Sequence, residues 1–288
     1  MGSEKLEKSL GMKTIHQLGF VKLLDVMGDD EEVENSARIS YGEGTRKVNQ
    51  TRNLIRYLMR HKHTSPFEMC EVKFHLKLPI FIMRQLVRHR TANLNEYSGR
   101  YSVMSNEYYL PEADYLQKQS STNNQGRDEV HPNKGALQFE FNRVYDNANI
   151  AYHNLLEEDI AREIARAVLP VANYTEVIWK IDLHNFFHVI KLRADSHAQR
   201  EIQDYANAMY ELVKPHFPMC CEAFEDYIKN SVTFSRQEME VIRELLEYTD
   251  TKAALAGMSI KAGTLEHKLG KRERTEFLEK LIVKGEPS

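Results

Sequence analysis

The chain has 288 residues and a formal net charge of -3, with 42% hydrophobic and 28% charged residues. That balance excludes a disordered chain, which needs fewer apolar residues and a larger net charge, and it gives no electrostatic reason to wrap nucleic acid. The most apolar runs, such as Leu76 to Met83, fall far short of the roughly 20 residues of a membrane helix, and Met1 to Lys13 is too polar and charged for a signal peptide.

In chain order, Gly19 to Val26 reads as a weak strand. Asp29 and Asp30 ahead of Glu31, Glu32 and Val33 make an acidic first turn, which suits a helix N-terminus. Leu54, Ile55, Leu58 and Met59 share one face of a helix predicted over Val48 to His61. Ser65-Pro66-Phe67-Glu68 puts Ser at the N-cap, Pro at N1 and Glu at N3 of a helix start. A helix N-terminus also attracts anions, and His63 just before it is either a ligand contact or surface. Val72, Phe74, Leu76 and Leu78 alternate with Lys73, His75 and Lys77, which predicts a half-buried strand. Pro79 ends that strand and suits the first turn of the next helix.

Residues 114–133 are polar and rich in Gln, Ser and Asn, so they read as a long surface loop. A long helix is predicted over Gly135 to Leu156, and Val177, Trp179, Ile181 and Leu183 mark a second good strand. Ile202, Tyr205, Ala206, Met209, Leu212 and Val213 have helical spacing. Ser235 and Glu238 form a capping box ahead of Val241, Ile242, Leu245 and Leu246. Phe277, Leu278, Leu281 and Ile282 mark a last amphipathic helix. The expected organisation is one domain over 14–231 and a helical C-terminal extension over 232–288, interrupted by Gly257, Gly263 and Gly270. That extension either packs on the same domain or serves subunit contacts.

Cys70, Cys220 and Cys221 form no C-x-x-C pair and no metal spacing. So sparse a count fits a reducing cytosol and cysteines that act as small buried hydrophobes. His184 and His188 lie four apart around Phe186 and Phe187, but Asn185 stands where a zinc-protease helix needs Glu. Aromatic packing or contact with a flat ring is the better reading, and no metal is expected.

The segment Arg84 to Arg100 carries four arginines, one histidine and one carboxylate, Glu96, in an otherwise acidic chain. Arg84, Arg88 and Arg90 are read at the end of a helix, Asn93, Asn95, Ser98 and Gly99 as a loop, and Arg100 and Tyr101 as the start of a strand. Arginine forks beside a Ser-Gly turn with free N–H groups match what a phosphate ester requires; a solvated cationic helix end has the same composition. Glu96 either neutralises an arginine or accepts from a ligand hydroxyl or imide. Arg193, in Arg193-Ala194-Asp195-Ser196-His197-Ala198-Gln199, lies at a helix junction. There Asp195 can aim it at a ligand, or Asp195 or Ser196 can cap the helix with Arg193 as a surface ion pair.

Together these pieces resemble the flavin-dependent thymidylate synthases. The likeness rests on Arg88-His89-Arg90 followed by Ser98 and Arg100, with Asn93 standing where the signature usually has Ser. It extends through His63 to Glu68, Pro79 to Gln85, Ala165-Arg166-Ala167-Val168-Leu169-Pro170 and Leu192 to Gln199, covering about Gly19 to Lys229. The N-terminal dozen residues and the tail after about Val232 lie outside it.

The resemblance implies an α/β (α+β) fold, a small antiparallel sheet flanked by long helices. It implies methylation of dUMP to dTMP with 5,10-methylenetetrahydrofolate as carbon donor and FAD, reduced by NADPH, as hydride carrier. It further implies a cytoplasmic homotetramer whose active sites are shared between subunits. By the same resemblance the nucleotide lies on Gln85, Leu86, Val87, Arg88, Glu96, Tyr97, Ser98, Gly99, Arg100, Arg166 and Arg193. FAD lies on Ser65, Arg88, His89, Arg90, Glu96, Asp182, Leu183, His184 and His188, with folate stacked on the flavin near His63. Arg193 is the catalytic group, stabilising uracil deprotonated at N3. The residues agree with that chemistry: Pro218 is followed by Met219, so no Pro-Cys nucleophile is offered, and the alternative is electrostatic polarisation of the ring beside a hydride-carrying cofactor. No G-x-G-x-x-G is present, so a Rossmann fold is not expected. Two other readings stand beside this one. One is a catalytically dead nucleotide- or flavin-binding protein on the same scaffold; the other is an RNA-binding module that stacks bases on Tyr97 and Tyr101.

Overall fold

The structure is a computed structural model that describes residues 9–39, 51–121, 126–240, 242 and 273. The chain divides into two compact units, Met1–Asn230 and Ser231–Ser288.

The first unit is built on a five-stranded antiparallel sheet with strand order β1-β2-β3-β7-β4. Its strands are β1 (Gly11–Ile15), β2 (Gly19–Met27), β3 (Glu71–Pro79), β4 (Asn93–Glu96) and β7 (Tyr174–Asp182). The alternation expected in β3 is present: Val72, Phe74, Leu76 and Leu78 are buried, and Lys73, His75 and Lys77 point to the wetter face. Val177, Trp179 and Ile181 continue the buried row in β7, while Leu183 begins a helix instead of ending the strand. On the polar face, His75 Nε2 lies 2.7 Å from Glu176 Oε2 across the β3–β7 pair, and Lys77 donates to Glu107 at 2.7 Å.

Helices complete the first unit. They are α1 (Asp30–Arg38), α2 (Thr51–Arg60), the single turn α3 (Ser65–Glu68), α4 (Ile80–Leu86), α5 (Lys134–Glu157), the short α6 (Arg162–Ala165), α7 (Leu183–Arg193), α8 (Arg200–Val213) and α9 (Pro218–Phe224). Ile202, Tyr205, Ala206, Met209 and Val213 of α8 are all buried, as helical spacing requires. They join Trp179, Phe74, Phe186 and Phe224 in one core.

Several local expectations give way to tertiary contacts. Asn93–Glu96 is a strand, not a loop, because β7 offers it a free edge. Arg100 and Tyr101 lie in a turn closed on the Ser98 carbonyl. The region read as a surface loop holds a 3-10 turn at Ala113–Tyr115 and two paired strands, β5 (Gln117–Gln119) and β6 (Arg127–Val130). The N-cap of α3 is Thr64, without a side-chain bond, and Ser65 is its first helical residue. Pro79 is both the last residue of β3 and the N-cap of α4.

In the second unit, Ser235 N donates to Glu238 Oε2 at 2.7 Å and Glu238 N donates to Ser235 Oγ at 3.3 Å, the reciprocal capping box the spacing predicts. Residues 236–240 are helical. Val48, Val241, Leu245, Leu246, the three interrupting glycines and Phe277 to Ile282 lie outside the described residues.

One buried charge ties the ends of the first unit together. Asp30 opens α1 but is turned into the interior, 6% exposed. Its carboxylate accepts from Met219 N at 2.7 Å and Cys220 N at 3.0 Å, capping α9 from another helix. The N-terminus of α9 has no side-chain cap of its own. Asp30→Ala is therefore expected to cost about 2 kcal/mol, read as a fall of about 4–8 °C in melting midpoint, with Asp30→Asn losing less because its amide oxygen still accepts.

Candidate functional site

The turn after α4 carries the arginine-rich segment. Because α4 ends at Leu86, Arg88 and Arg90 lie beyond it, exposed, while His89 between them is buried. Asp182 caps α7, accepting from Asn185 N at 2.9 Å and Asn185 Nδ2 at 2.7 Å. That cap sets the helix running so that Arg193, its last residue, returns to the His89 turn. Arg193 Nε donates to His89 Nε2 at 3.0 Å, and a terminal nitrogen donates to the Gln85 carbonyl at 3.3 Å. Gln85 Nε2 in turn donates to Gln199 Oε1 at 2.6 Å. The ring of His188 meets that of His89 edge to face at 6.1 Å.

The electrostatics of this junction are unusual. Among the described residues, no carboxylate pairs with Arg88, Arg90, Arg166 or Arg193, although ion pairs abound elsewhere in the chain. Burial and the nearby Arg88 charge both push the Arg193 pKa down. Burial, Arg193 and His188 hold the His89 imidazole down to about 4, so it is neutral at pH 7. Asp195, one candidate for aiming Arg193, instead binds His197, accepting from its backbone N and approaching Nδ1, both at 2.8 Å. The N-cap of α8 is Gln199, without a side-chain bond, so neither Asp195 nor Ser196 caps it.

Eight of the eleven residues nominated for the nucleotide line two clefts, and Leu86, Val87 and Arg88 line neither. Gln85 and Arg193 line a groove of about 920 Å³ together with Ser196 to Arg200 and the β5–β6 hairpin. Glu96, Tyr97, Ser98, Gly99, Arg100 and Arg166 line a second cleft of about 400 Å³, with Ile80, Met104, Asn173 and Thr175. In the second cleft Arg100 N donates to Ser98 Oγ at 3.3 Å, and Tyr101 N and Ser102 N bond to the Ser98 carbonyl. The N–H groups of Ser98 and Gly99 have no partner among the described residues; adjacent free N–H groups of this kind suit an anion. A side chain at Gly99 would lie 2.8 Å from Met104 Sδ and 3.2 Å from Arg166 Cδ, so it would have to displace those two side chains. Glu96 accepts from Thr175 Oγ1 at 2.9 Å, and Arg100 pairs with Glu163 at 3.1 Å.

Of the flavin nominees, His89 and His188 adjoin the nucleotide nominees Gln85 and Arg193 at the α4–α7 junction, whereas Asp182, Leu183 and His184 lie at the opposite end of α7 and Glu96 lines the second cleft. Ser65 and His63 are exposed on and before α3, which packs against α7. Leu183 and Leu86 are core residues, so only their backbone can meet a ligand; Val87 is partly exposed. Two unneutralised guanidinium groups, Arg88 and Arg90, fit the diphosphate of a flavin dinucleotide by charge. Sequence reasoning missed Gln199, Thr175 and Asn173. Their partners lie 114, 79 and 68 residues away in the chain, and no local motif announces such contacts.

All three cysteines are fully buried and unpaired. Burial raises the Cys70 and Cys221 thiols to about 12 and Cys220 well above its ordinary value. None is a thiolate nucleophile at neutral pH. No group of residues suited to holding a metal ion occurs among the described residues, and none of the described helices is long and apolar enough to cross a membrane.

Comparisons with known proteins bear on the family. The model of the Thy1 family, described as thymidylate synthase complementing protein, matches residues 22–219. A flavin-dependent thymidylate synthase of Ehrlichia ruminantium is 46% identical over 272 residues, covering 92% of this chain and 86% of that protein. That match runs past residue 231, so the likeness is not confined to about Gly19 to Lys229. A Treponema denticola protein of the same name is 49% identical over 240 residues, 81% of this chain and 89% of that one. Among solved structures, the UMP/dUMP methylase PolB of Streptomyces cacaoi, bound with 5-Br dUMP, superposes with a TM-score of 0.69 at 32% identity, covering 75% of this chain and 99% of that one. With a family model spanning most of its length and relatives nearly half identical to it, this chain belongs to the flavin-dependent thymidylate synthase family.

Proposed function

We propose that the chain methylates dUMP at C5 to give dTMP, taking the carbon from 5,10-methylenetetrahydrofolate, with FAD as its flavin and NADPH as the source of electrons. FAD, when bound, supplies the hydride that completes the methyl group. The observation that carries the reading is the Arg193 guanidinium, held by a neutral imidazole and a carbonyl with no carboxylate among the described residues to cancel its charge.

A uracil ring becomes nucleophilic at C5 when negative charge gathers on it. A thiolate adding at C6 is one way to achieve this, and buried, high-pKa cysteines do not offer it. A fixed cation beside the N3–O4 edge is the other way. Arg193 stays protonated throughout, so it stabilises the developing anion without titrating. The Ser98 and Gly99 N–H groups and Arg166 suit the phosphate. Ser98 serves as a phosphate ligand, since no base is paired with its hydroxyl to activate it. Arg88 adjoins Arg193 and suits a place between nucleotide and flavin.

One chain distributes these groups over two clefts, which supports a homotetramer with each active site built from more than one copy. Three unpaired cysteines fit a cytoplasmic setting.

The purified protein should be yellow, should bleach with NADPH, and should then convert dUMP and methylenetetrahydrofolate to dTMP. A colourless protein that binds RNA with steep salt dependence overturns the assignment. Arg193→Ala is expected to lower turnover about 100- to 1000-fold with the flavin absorbance retained; flavin loss with normal turnover per remaining flavin refutes its role. Iodoacetamide applied to the native enzyme should leave activity intact and no cysteine adduct by mass spectrometry. Stoichiometric alkylation of Cys220 or Cys221 that abolishes turnover would revive a sulfur nucleophile.

A further inference from the structure

We propose that His89 is a positioning residue, whose Nε2, as the acceptor of the Arg193 Nε–H, fixes the direction in which that guanidinium faces the pyrimidine. The inference rests on the function proposed above and gives His89 a role there distinct from holding flavin.

The geometry is specific. A guanidinium carries five N–H donors in a rigid fork. In Arg193, Nε–H is directed at His89 Nε2 and one terminal N–H at the Gln85 carbonyl. Two fixed points set the plane of the group and leave three donors for a ligand. Both acceptors are uncharged, so Arg193 is oriented while its full charge stays available. A carboxylate in the place of His89 would orient it equally well and neutralise it.

The contact requires His89 in one protonation state. Its Nε2 is the acceptor, so the ring proton sits on Nδ1. A second proton would turn Nε2 into a donor aimed at another donor. The groups that face the ring are Arg193 and His188, both from α7, with Arg88 beside Arg193. Arg193 and His188 oppose protonation, as does burial at 9% exposure. The imidazole therefore stays neutral well below pH 6, and the contact persists across the physiological range.

His89→Leu removes the acceptor, and His89→Gln can supply an amide oxygen near the position of Nε2. In the flavin-loaded enzyme, His89→Leu is expected to lower kcat about 10- to 100-fold while flavin content, melting midpoint and KM for dUMP change little. His89→Gln should recover most of the loss. If His89 acts through Arg193, then adding His89→Leu to Arg193→Lys should cost far less than it does alone. Fully additive effects, or flavin loss that accounts for all the lost turnover, overturn the proposal. Ring-nitrogen NMR of histidine-labelled protein tests the pairing without turnover. His89 should show a protonated Nδ1 and a bare Nε2 at both pH 7 and pH 5.5, and its Nε2 signal should shift in Arg193→Lys. An Nε2–H tautomer, or an imidazolium at pH 5.5, refutes it. If the wild type fails to methylate dUMP while this spectrum holds, the proposed reaction is wrong and the positioning contact stands.

Discussion

The arrangement at the site depends on an arginine kept in place without an acid. Several other cations have carboxylate partners: Arg56 lies against Glu222 and Asp226, and Lys77 against Glu107. Arg193 is treated differently. It is partly withdrawn from water, set near a second cation, and anchored by an imidazole and a carbonyl. Such a group is unfavourable on its own, because desolvation and the field of Arg88 both act against its charge. It persists because the surrounding helices fix its neighbours. The unfavourable field becomes favourable once an anion arrives, which is how a preorganised site stabilises developing negative charge.

The same constraint explains the shape of the surroundings. Arg193 reaches His89 only because α7 is started by the Asp182 cap and runs its full length along the sheet to the turn after α4. That turn leads directly into β4, which pairs at the sheet edge with the strand that feeds α7. Flavin nominees and nucleotide nominees are thus connected through one strand–helix unit. The phosphate-suited half, with Gly99 pressed against Met104 and Arg166, opens in another cleft. A complete nucleotide site from a single copy would require groups in both clefts to face the same ligand.

Burial also determines what the protein does not use. Cys70, Cys220 and Cys221 are packed in the core, and Cys220 donates its backbone N–H to Asp30. Their position serves packing and capping. The Asp30 cap joins α1 to α9 across 189 residues of chain and closes the first unit around its sheet.

Much of this was legible along the chain. Strict alternation fixed β3 and the body of β7, since a two-residue period admits only one buried face. Helical spacing fixed α8, and the Ser235–Glu238 box fixed a helix start, because both are local. The Arg88-His89-Arg90, Ser98 and Arg193 motifs marked the family. The sequence alone therefore determined the periodic elements, the sparse cysteine count without a C-x-x-C pair and the residue types available for anion binding. Only the tertiary structure decided that Asn93–Glu96 is a strand, that Asp30 caps a distant helix, and that His89 rather than Asp195 holds Arg193. Each of these is a pairing between residues far apart in the chain, and its energy comes from burial and partners that exist only after the sheet and helices have closed.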